Sequence, residues 1–227
     1  MKKINLMLMF FLASIVFFSC SNNDDAEMST DFNKNLLKNY AVKRDASGAY
    51  SIDFNVSDKV KVEKIVDKNS NTSQFFLHSA DKNTQTNIAE SLLIDENQLK
   101  VDFVNANNNK NITNVTIFDD NITLAKGNEN SKLKSYSVTK NDDGFYDVVF
   151  EVKDNVAVNF VHNEKEDAFE IHLNNGKGVE TNFSRTLEKI EGKPLSIVFV
   201  NYVGNTNAKS ETLEPIRKPV IIIEEEE

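Results

Sequence analysis

Apolar and polar residues alternate along several stretches of the chain, and this alternation predicts β-strands. In residues 146–153, with the sequence YDVVFEVK, the pattern is mostly apolar then polar, and residues 50–56, YSIDFNV, repeat it. A period of two is expected of an antiparallel strand that buries one face. A polar turn that ends in glycine, Gly48 or Gly144, precedes each of these strands, as a hairpin loop requires. Each place therefore predicts a β-hairpin.

The two hairpins belong to an internal repeat with an offset of 96 residues. Tyr40 aligns with Tyr136 and Tyr50 with Tyr146, and nine identities fall within the 23 positions from 40 to 62. A period of this length indicates duplication of a domain-sized unit rather than a solenoid of short units.

Further strands are predicted in each copy. They lie at 60–66, 73–78 and 99–105 in the first copy, and at 156–162, 168–173 and 195–201 in the second.

Between the last two strands of the second copy, the spacing of apolar residues changes. Phe183, Leu187 and Ile190 are spaced i, i+4, i+7, which is one face of a helix. Asn182 is a suitable residue to cap the start of this helix, and Gly192 fits the position just past its end. Here the sequence predicts a short helix.

Ile88 and Leu92 give the first copy a weaker equivalent of this helix. We therefore predict an α+β fold of two tandem homologous modules, each a mainly antiparallel β-sheet with one helix. The modules are expected at 36–126 and 135–227, joined by a linker at 127–134. The alternative is a pair of all-β sandwich domains, in which case no helix forms.

The segment that contains the second predicted helix is similar to a known one. Residues 183–200 and 213–216 resemble the periplasmic head subdomain of the SecD/SecF protein-export membrane proteins, in which a helix, a Gly-x-x-Leu step and an apolar strand precede a Pro-Ile segment. The resemblance implies an α+β fold. The resemblance does not extend to a role in protein translocation, because Asn201-Tyr202-Val203 stands where that family has an Asp-Gly-Lys turn.

The amino terminus is typical of an export signal. Lys2 and Lys3 precede an apolar run from residue 4 to residue 18, and this run is shorter than the roughly 20 residues of a membrane-spanning helix. The small residue Ser19 then stands before Cys20, which is the single cysteine of the chain. We predict a signal peptide over residues 1–19.

Residues 17–20, FFSC, resemble the lipobox of bacterial lipoprotein precursors. The resemblance implies cleavage by a signal peptidase of type II before Cys20, diacylglycerylation of its thiol and acylation of the new amine. Cys20 is thus the predicted lipid-attachment residue, and the membrane is a partner through it, since several acyl chains give stable anchoring. The alternative is an uncleaved signal anchor with an incidental cysteine.

The residues after Cys20 are expected to form a tether. Residues 20–35 contain few apolar groups, which is typical of a flexible spacer. By resemblance to sorted lipoproteins, Ser21 favours the outer membrane of a Gram-negative bacterium, and Asp24-Asp25 resembles a surface-export signal. We expect a cell-envelope location that faces the periplasm or the outside.

The three histidines are the first candidates for metal binding, and they are His78, His162 and His172. If the strands at 156–162 and 168–173 pair as a hairpin, His162 lies opposite Phe169 and His172 opposite Asn159. The two histidines then point to opposite faces of the sheet, where they cannot hold one metal ion. No metal site, cofactor or catalytic constellation is therefore predicted.

The acidic residues are expected to be solvated. Asp95-Glu96 and Asp119-Asp120 fall at predicted loop ends. A final strand at residues 220–223 is followed by four glutamates, which we interpret as a solubilising end that discourages pairing with other chains.

Composition and charge narrow the function. The chain has 227 residues, of which 40% are apolar, and a formal net charge of −9, which argues against nucleic acid as a partner. We predict a lipid-anchored, non-catalytic envelope protein that acts as a binding or scaffolding module for an unknown envelope protein or ligand. The alternatives are an envelope hydrolase with a loop-built active site, and a subunit of a surface assembly that uses the strand at 220–223 for strand addition.

Overall fold

The computed structural model describes residues 36–82, 85–94, 97–119, 131–202 and 215–226. Fourteen strands account for most of them. The strands are β1 Leu37–Arg44, β2 Tyr50–Val56, β3 Val60–Asp67, β4 Thr72–Ser79, β5 Asn87–Leu92, β6 Gln98–Asn105, β7 Lys110–Phe118, β8 Leu133–Lys140, β9 Tyr146–Val152, β10 Val156–Asn163, β11 Ala168–Asn175, β12 Asn182–Leu187, β13 Leu195–Tyr202 and β14 Pro215–Glu225. None of the described segments forms a helix that could cross a bilayer.

The strands form a sandwich of two sheets. One sheet has six strands in the order β12-β9-β8-β1-β2-β5, and the other has eight in the order β10-β11-β13-β14-β7-β6-β4-β3. The apolar faces of the two sheets pack into one continuous core. Phe54 of the six-stranded sheet lies edge-on to Phe75 and Phe103 of the eight-stranded sheet, with ring centroids 4.9 and 5.0 Å apart.

The second seven strands repeat the pairing pattern of the first seven. In each copy the fourth and sixth strands pair in parallel, which requires the chain to cross to the other sheet and back between them. The copies meet where β1 pairs with β8 and where β7 pairs with β14. At the first junction Val42 lies opposite its own repeat equivalent, Val138, so a pseudo-twofold axis passes between these two residues.

The predicted α+β fold is wrong, because both predicted helices are strands. Phe183 and Leu187 lie in β12, which pairs with β9 at the edge of the six-stranded sheet, and Ile88 and Leu92 lie in β5. A spacing of four residues also keeps two side chains on one face of a strand, so this spacing alone did not distinguish the two structures. Ile190, which completed the helical pattern, lies beyond β12 and is 50% exposed.

The all-β character of the alternative agrees with the structure, but each sheet combines strands from both copies in one sandwich. Strand β8 also begins at Leu133, inside the linker that was predicted at 127–134. The α+β fold that the resemblance to the SecD/SecF head subdomain implies is wrong for the same reason, because the segment at 182–187 is a strand.

The predicted hairpins are confirmed. Gly48 and Gly144 have φ angles of 88° and 84°, a conformation that glycine adopts without strain. The Asp45 carboxylate accepts hydrogen bonds from the backbone N–H groups of Ser47 and Ala49, and Asn141 caps the second turn in the same way. These side chains are turn formers, as the sequence indicates.

The strand at 220–223 belongs to β14 and lies inside the eight-stranded sheet. It pairs with β13 on one side and with β7 on the other. Because both of its edges are occupied, this strand cannot serve for strand addition, and the prediction of a surface assembly that uses it in this way is wrong.

Candidate functional site

The predicted lipid-attachment residue, Cys20, lies outside the described residues, as do the signal peptide at 1–19 and the tether at 20–35.

The histidines of the second copy occupy the predicted register. His162 lies opposite Phe169 and His172 opposite Asn159 across the β10–β11 hairpin. His162 stacks on the ring of Phe169, with centroids 4.8 Å apart, whereas His172 lies on the outer face of the sheet. In the described parts of the chain, no group of three histidine, cysteine or carboxylate side chains is placed to hold a metal ion.

His172 lies between a buried glutamate and a tyrosine. Its Nε2 is 2.6 Å from Oε2 of Glu170, and its Nδ1 is 2.8 Å from the hydroxyl oxygen of Tyr202. In the neutral ring a proton on Nε2 is directed at the carboxylate, so Nδ1 is free to accept the hydrogen bond of the Tyr202 hydroxyl. We call these residues, with Arg217 and Asn163, the Glu170 cluster.

The carboxylate of Glu170 is only 5% exposed and is surrounded by hydrogen-bond donors. Burial alone would raise its pKa, but hydrogen bonds from Asn163, His172 and Arg217 outweigh burial and hold the pKa below its usual range. The Asn163 amide and the Arg217 guanidinium donate to Oε1 over 2.7 and 2.8 Å. Glu170 is therefore an ionised, orienting carboxylate.

The fold itself does not require the Glu170 cluster. At the equivalent positions of β4 the first copy has Gln74 and Phe76 in place of Glu170 and His172, in the same sheet and with the same pairing. A carboxylate, an imidazole and a phenol in this order could orient a base next to a hydroxyl group. However, neither His172 nor Tyr202 lines the two cavities described below.

Replacing Glu170 by glutamine should make stability less dependent on pH. Because the folded-state pKa is depressed, the carboxylate stabilises the fold above its unfolded pKa, near 4.3, and this contribution is lost as the pH falls through the folded value. We expect Glu170→Gln to lower the free energy of unfolding by about 1–3 kcal/mol at pH 7 and by much less at pH 3. Urea unfolding at both pH values measures this difference.

The matched control is Glu151→Gln, whose exposed carboxylate pairs with Lys134 on the sheet surface. It should cost less than about 1 kcal/mol. An equal loss for Glu170→Gln at pH 7 and pH 3 would contradict the ionised state of Glu170.

Asp119 was expected to be solvated, and this prediction is wrong. It is 2% exposed, and its Oδ2 accepts hydrogen bonds from Nε of Arg44 over 3.0 Å and from the hydroxyl of Tyr50 over 2.7 Å. The hydroxyl of Tyr136 donates in turn to that of Tyr50 over 3.1 Å. Burial, with the nearby charge of Asp119, raises the pKa of both tyrosines far above its usual value. We call these four residues the Asp119 network.

The pseudo-twofold axis generates a second network from Lys140, Tyr146, Glu225 and Tyr40. The Lys140 ammonium pairs with Glu225, whose carboxylate accepts from the Tyr146 hydroxyl over 2.6 Å, and the Tyr40 hydroxyl lies 3.4 Å from that of Tyr146. Glu225 is thus part of the fold and not of a freely solvated end. Each network takes three residues from one copy and a tyrosine from the other, which explains why the tyrosines recur in the repeat.

The outer face of the six-stranded sheet carries a depression at the junction of the two copies. Ser91, Ser51, Lys43, Ser137 and Val149 lie side by side on the neighbouring strands β5, β2, β1, β8 and β9. Three of these five residues are serines, whose short side chains leave space between the longer side chains around them. We call this depression the junction groove.

The junction groove is open to solvent and has a volume of about 440 Å³. Two of its charged side chains are paired on the same face of the sheet, Lys43 with Asp53 and Glu151 with Lys134. Its remaining lining residues are Arg44, Asp45, Ala49, Tyr50, Ser135, Tyr136, Phe150 and Asn182. The groove therefore offers hydroxyl groups and neutralised charges to a polar ligand.

The hairpin strands of the groove are predicted by the sequence, but β5, which was predicted as a helix, and the groove itself are not. Each serine alone is an ordinary exposed strand residue, and only the pairing of five strands places them in one row. Comparison with known protein families, with curated proteins and with solved structures finds no match to this chain.

Proposed function

We propose that the chain is a lipid-anchored, non-catalytic binding protein of the bacterial cell envelope. The lipid is attached at Cys20, and the sandwich binds a polar envelope ligand in the junction groove. The lipobox-like sequence at residues 17–20 supports the anchor, and the groove supports the binding role.

The main support for the binding role is the set of side chains that line the groove. A wide, open and shallow surface lined by serine hydroxyls provides many hydrogen-bonding groups but does not enclose a reacting atom. The ammonium of Lys43 and the carboxylate of Glu151 already have partners of opposite charge, which suits recognition better than proton transfer. Because residues of both copies line the groove, the groove would arise from the duplication of the repeated unit.

The experiment uses full-length protein made in a Gram-negative host, with the wild type and the variants Cys20→Ala, Ser91→Trp and Ser184→Trp. Ser91 lines the groove, whereas Ser184 lies on the same face of edge strand β12 and does not line it. We expect a palmitate analogue to label all proteins except Cys20→Ala, which should leave the membrane fraction.

Binding is then measured with the purified, acylated proteins in detergent micelles, by co-sedimentation with peptidoglycan sacculi and by binding to lipopolysaccharide. The wild type and Ser184→Trp should bind one of these probes saturably. Ser91→Trp should bind at least tenfold more weakly, because an indole fills the groove. Labelling of Cys20→Ala would refute the anchor, and an absence of saturable binding by the wild type would refute the binding role.

A further inference from the structure

The eight-stranded sheet has two equivalent edge strands, one in each copy. Strand β3 forms one edge of the eight-stranded sheet and β10 forms the other. Residues 63–66 of β3 and residues 159–162 of β10 are exposed along these edges. An exposed edge presents unpaired backbone groups that can accept another strand unless something blocks it.

In the first copy, an ion pair blocks the edge strand β3 against pairing with another chain. Lys64 of β3 faces inward, and its ammonium lies 2.8 Å from the carboxylate of Glu90 on β5, at the edge of the other sheet. The same ammonium lies over the ring of Phe75, 5.8 Å from its centroid. An inward-pointing charged residue is a common device against pairing with other chains.

The edge in the second copy lacks this ion pair. Strand pairing places Phe160 at the position of Lys64 and Arg185 at the position of Glu90. The guanidinium of Arg185 lies over the ring of Phe160, 5.5 Å from its centroid. Within the described part of the chain, Arg185 forms no ion pair, unlike the residues at the equivalent positions of the first copy.

A pocket opens between the two sheets beside this edge. Its volume is about 90 Å³, and it is lined by Val148, Phe160, Val161, His162, Phe169, Glu170, Ile171, Arg185 and Leu187. A cavity of about 150 Å³ holds a benzene molecule, so this smaller pocket suits one aliphatic side chain. Its walls are mostly apolar. Arg185 contributes a positive charge, while the carboxylate of Glu170 is already bound by the donors of the Glu170 cluster.

Part of β10 is already covered. A Cβ atom on Gly178 would lie 2.1 Å from the carbonyl oxygen of Val156, and one on Gly176 would lie 2.8 Å from Cβ of Ala157. The chain at these glycines therefore runs closely past the start of β10. The later half of the strand, with Phe160 40% exposed and Val161 44% exposed, stays open next to the pocket.

We propose that the open half of β10 binds an extended peptide of a partner protein by strand addition. The peptide carries an aliphatic side chain that fills the pocket and an acidic side chain on the same face that pairs with Arg185. Main-chain hydrogen bonds hold the added strand, and the pocket selects its side chains. The acidic side chain of the peptide takes the place of the carboxylate that Glu90 supplies in the first copy. This second site is separate from the junction groove.

The test uses the full-length, acylated protein in detergent micelles and a dye-labelled peptide, TVTLTETV, blocked at both ends. Its leucine and glutamate are two residues apart and therefore point to one face of a strand. Fluorescence anisotropy should show saturable binding to the wild type. Replacing the peptide's glutamate by lysine, or methylating its alternate amide nitrogens, should weaken binding at least tenfold.

Two protein variants locate the site. Phe160→Lys with Arg185→Glu copies the ion pair of the first copy and should weaken binding at least tenfold, while Ile65→Ala on the equivalent edge β3 should leave it unchanged. If the double variant fails to fold, Arg185→Gln serves in its place, since it should weaken binding of the glutamate peptide but not of a glutamine counterpart.

Several results would overturn the proposal. These are no binding by the wild type, equal binding of the methylated peptide, and equal binding by the double variant or by Arg185→Gln. Concentration-dependent dimerisation that Phe160→Lys abolishes, without peptide binding, would assign this edge to a second copy of the chain instead.

Discussion

Replacing Asp119 by alanine should lower the free energy of unfolding by about 3–5 kcal/mol. The substitution leaves Arg44, which is 5% exposed, as a buried cation without its carboxylate, and it removes the acceptor of the Tyr50 hydroxyl. Since single domains are stable by only about 5–15 kcal/mol, this loss is a large fraction of the total. Chemical denaturation at neutral pH measures it.

Two further variants test the cause of this effect. Asp53→Ala removes an exposed partner of Lys43 and should cost less than about 1 kcal/mol. Adding Arg44→Met to Asp119→Ala should recover much of the lost stability, because no buried charge then remains unpaired. If the double variant is no more stable than Asp119→Ala, the desolvated cation is not the reason for the loss.

Replacing Phe103 by alanine should cost about 3–5 kcal/mol through the cavity it leaves. Phe103 is fully buried, and its ring contacts those of Tyr40, Phe54 and Phe75 at centroid distances of 5.0–5.6 Å. The variant should unfold at lower denaturant concentration with an unchanged dependence on denaturant. Thermal and chemical unfolding together measure the loss.

The control for this prediction is Phe145→Ala in the β8–β9 turn, where the side chain is 39% exposed. It should change the free energy of unfolding by less than about 0.5 kcal/mol. Similar losses for the two variants would mean that the aromatic core between the sheets is not a principal source of stability.

Local structure was largely predictable from the sequence. Alternation of apolar residues, with glycine in the intervening turn, predicted the β1–β2 and β8–β9 hairpins. Pairing of the strands at 156–162 and 168–173 as a hairpin predicted His162 opposite Phe169. These features depend on residues that are close in the chain, where turn length fixes the register.

The helix prediction was wrong for a specific physical reason. Phe183 and Leu187 point to one side of a six-residue segment whether it is helical or extended, and Arg185 lies between them on the same face of β12. In a helix, Arg185 would point away from Phe183 and Leu187, onto the polar side. It lies at a sheet edge, where its charged end reaches solvent.

The candidate sites were less predictable because they join distant parts of the chain. Asp119 and Arg44 are 75 residues apart, and Tyr202 and His172 are brought together only by the parallel pairing of β11 with β13. The one available signal was the recurrence of the tyrosines in the repeat. It could have suggested a shared structural role, but not the carboxylates that complete each network.

The position of β14 has a consequence for when the protein can fold. This strand is the last of the fourteen to be synthesised, yet it lies between β7 and β13 and supplies Glu225 to the second network. A nascent chain that still lacks it has two unsatisfied sheet edges and cannot join the halves of the larger sheet. Folding is therefore completed only after synthesis has passed Glu225, and a premature stop codon before β14 would produce an aggregation-prone product.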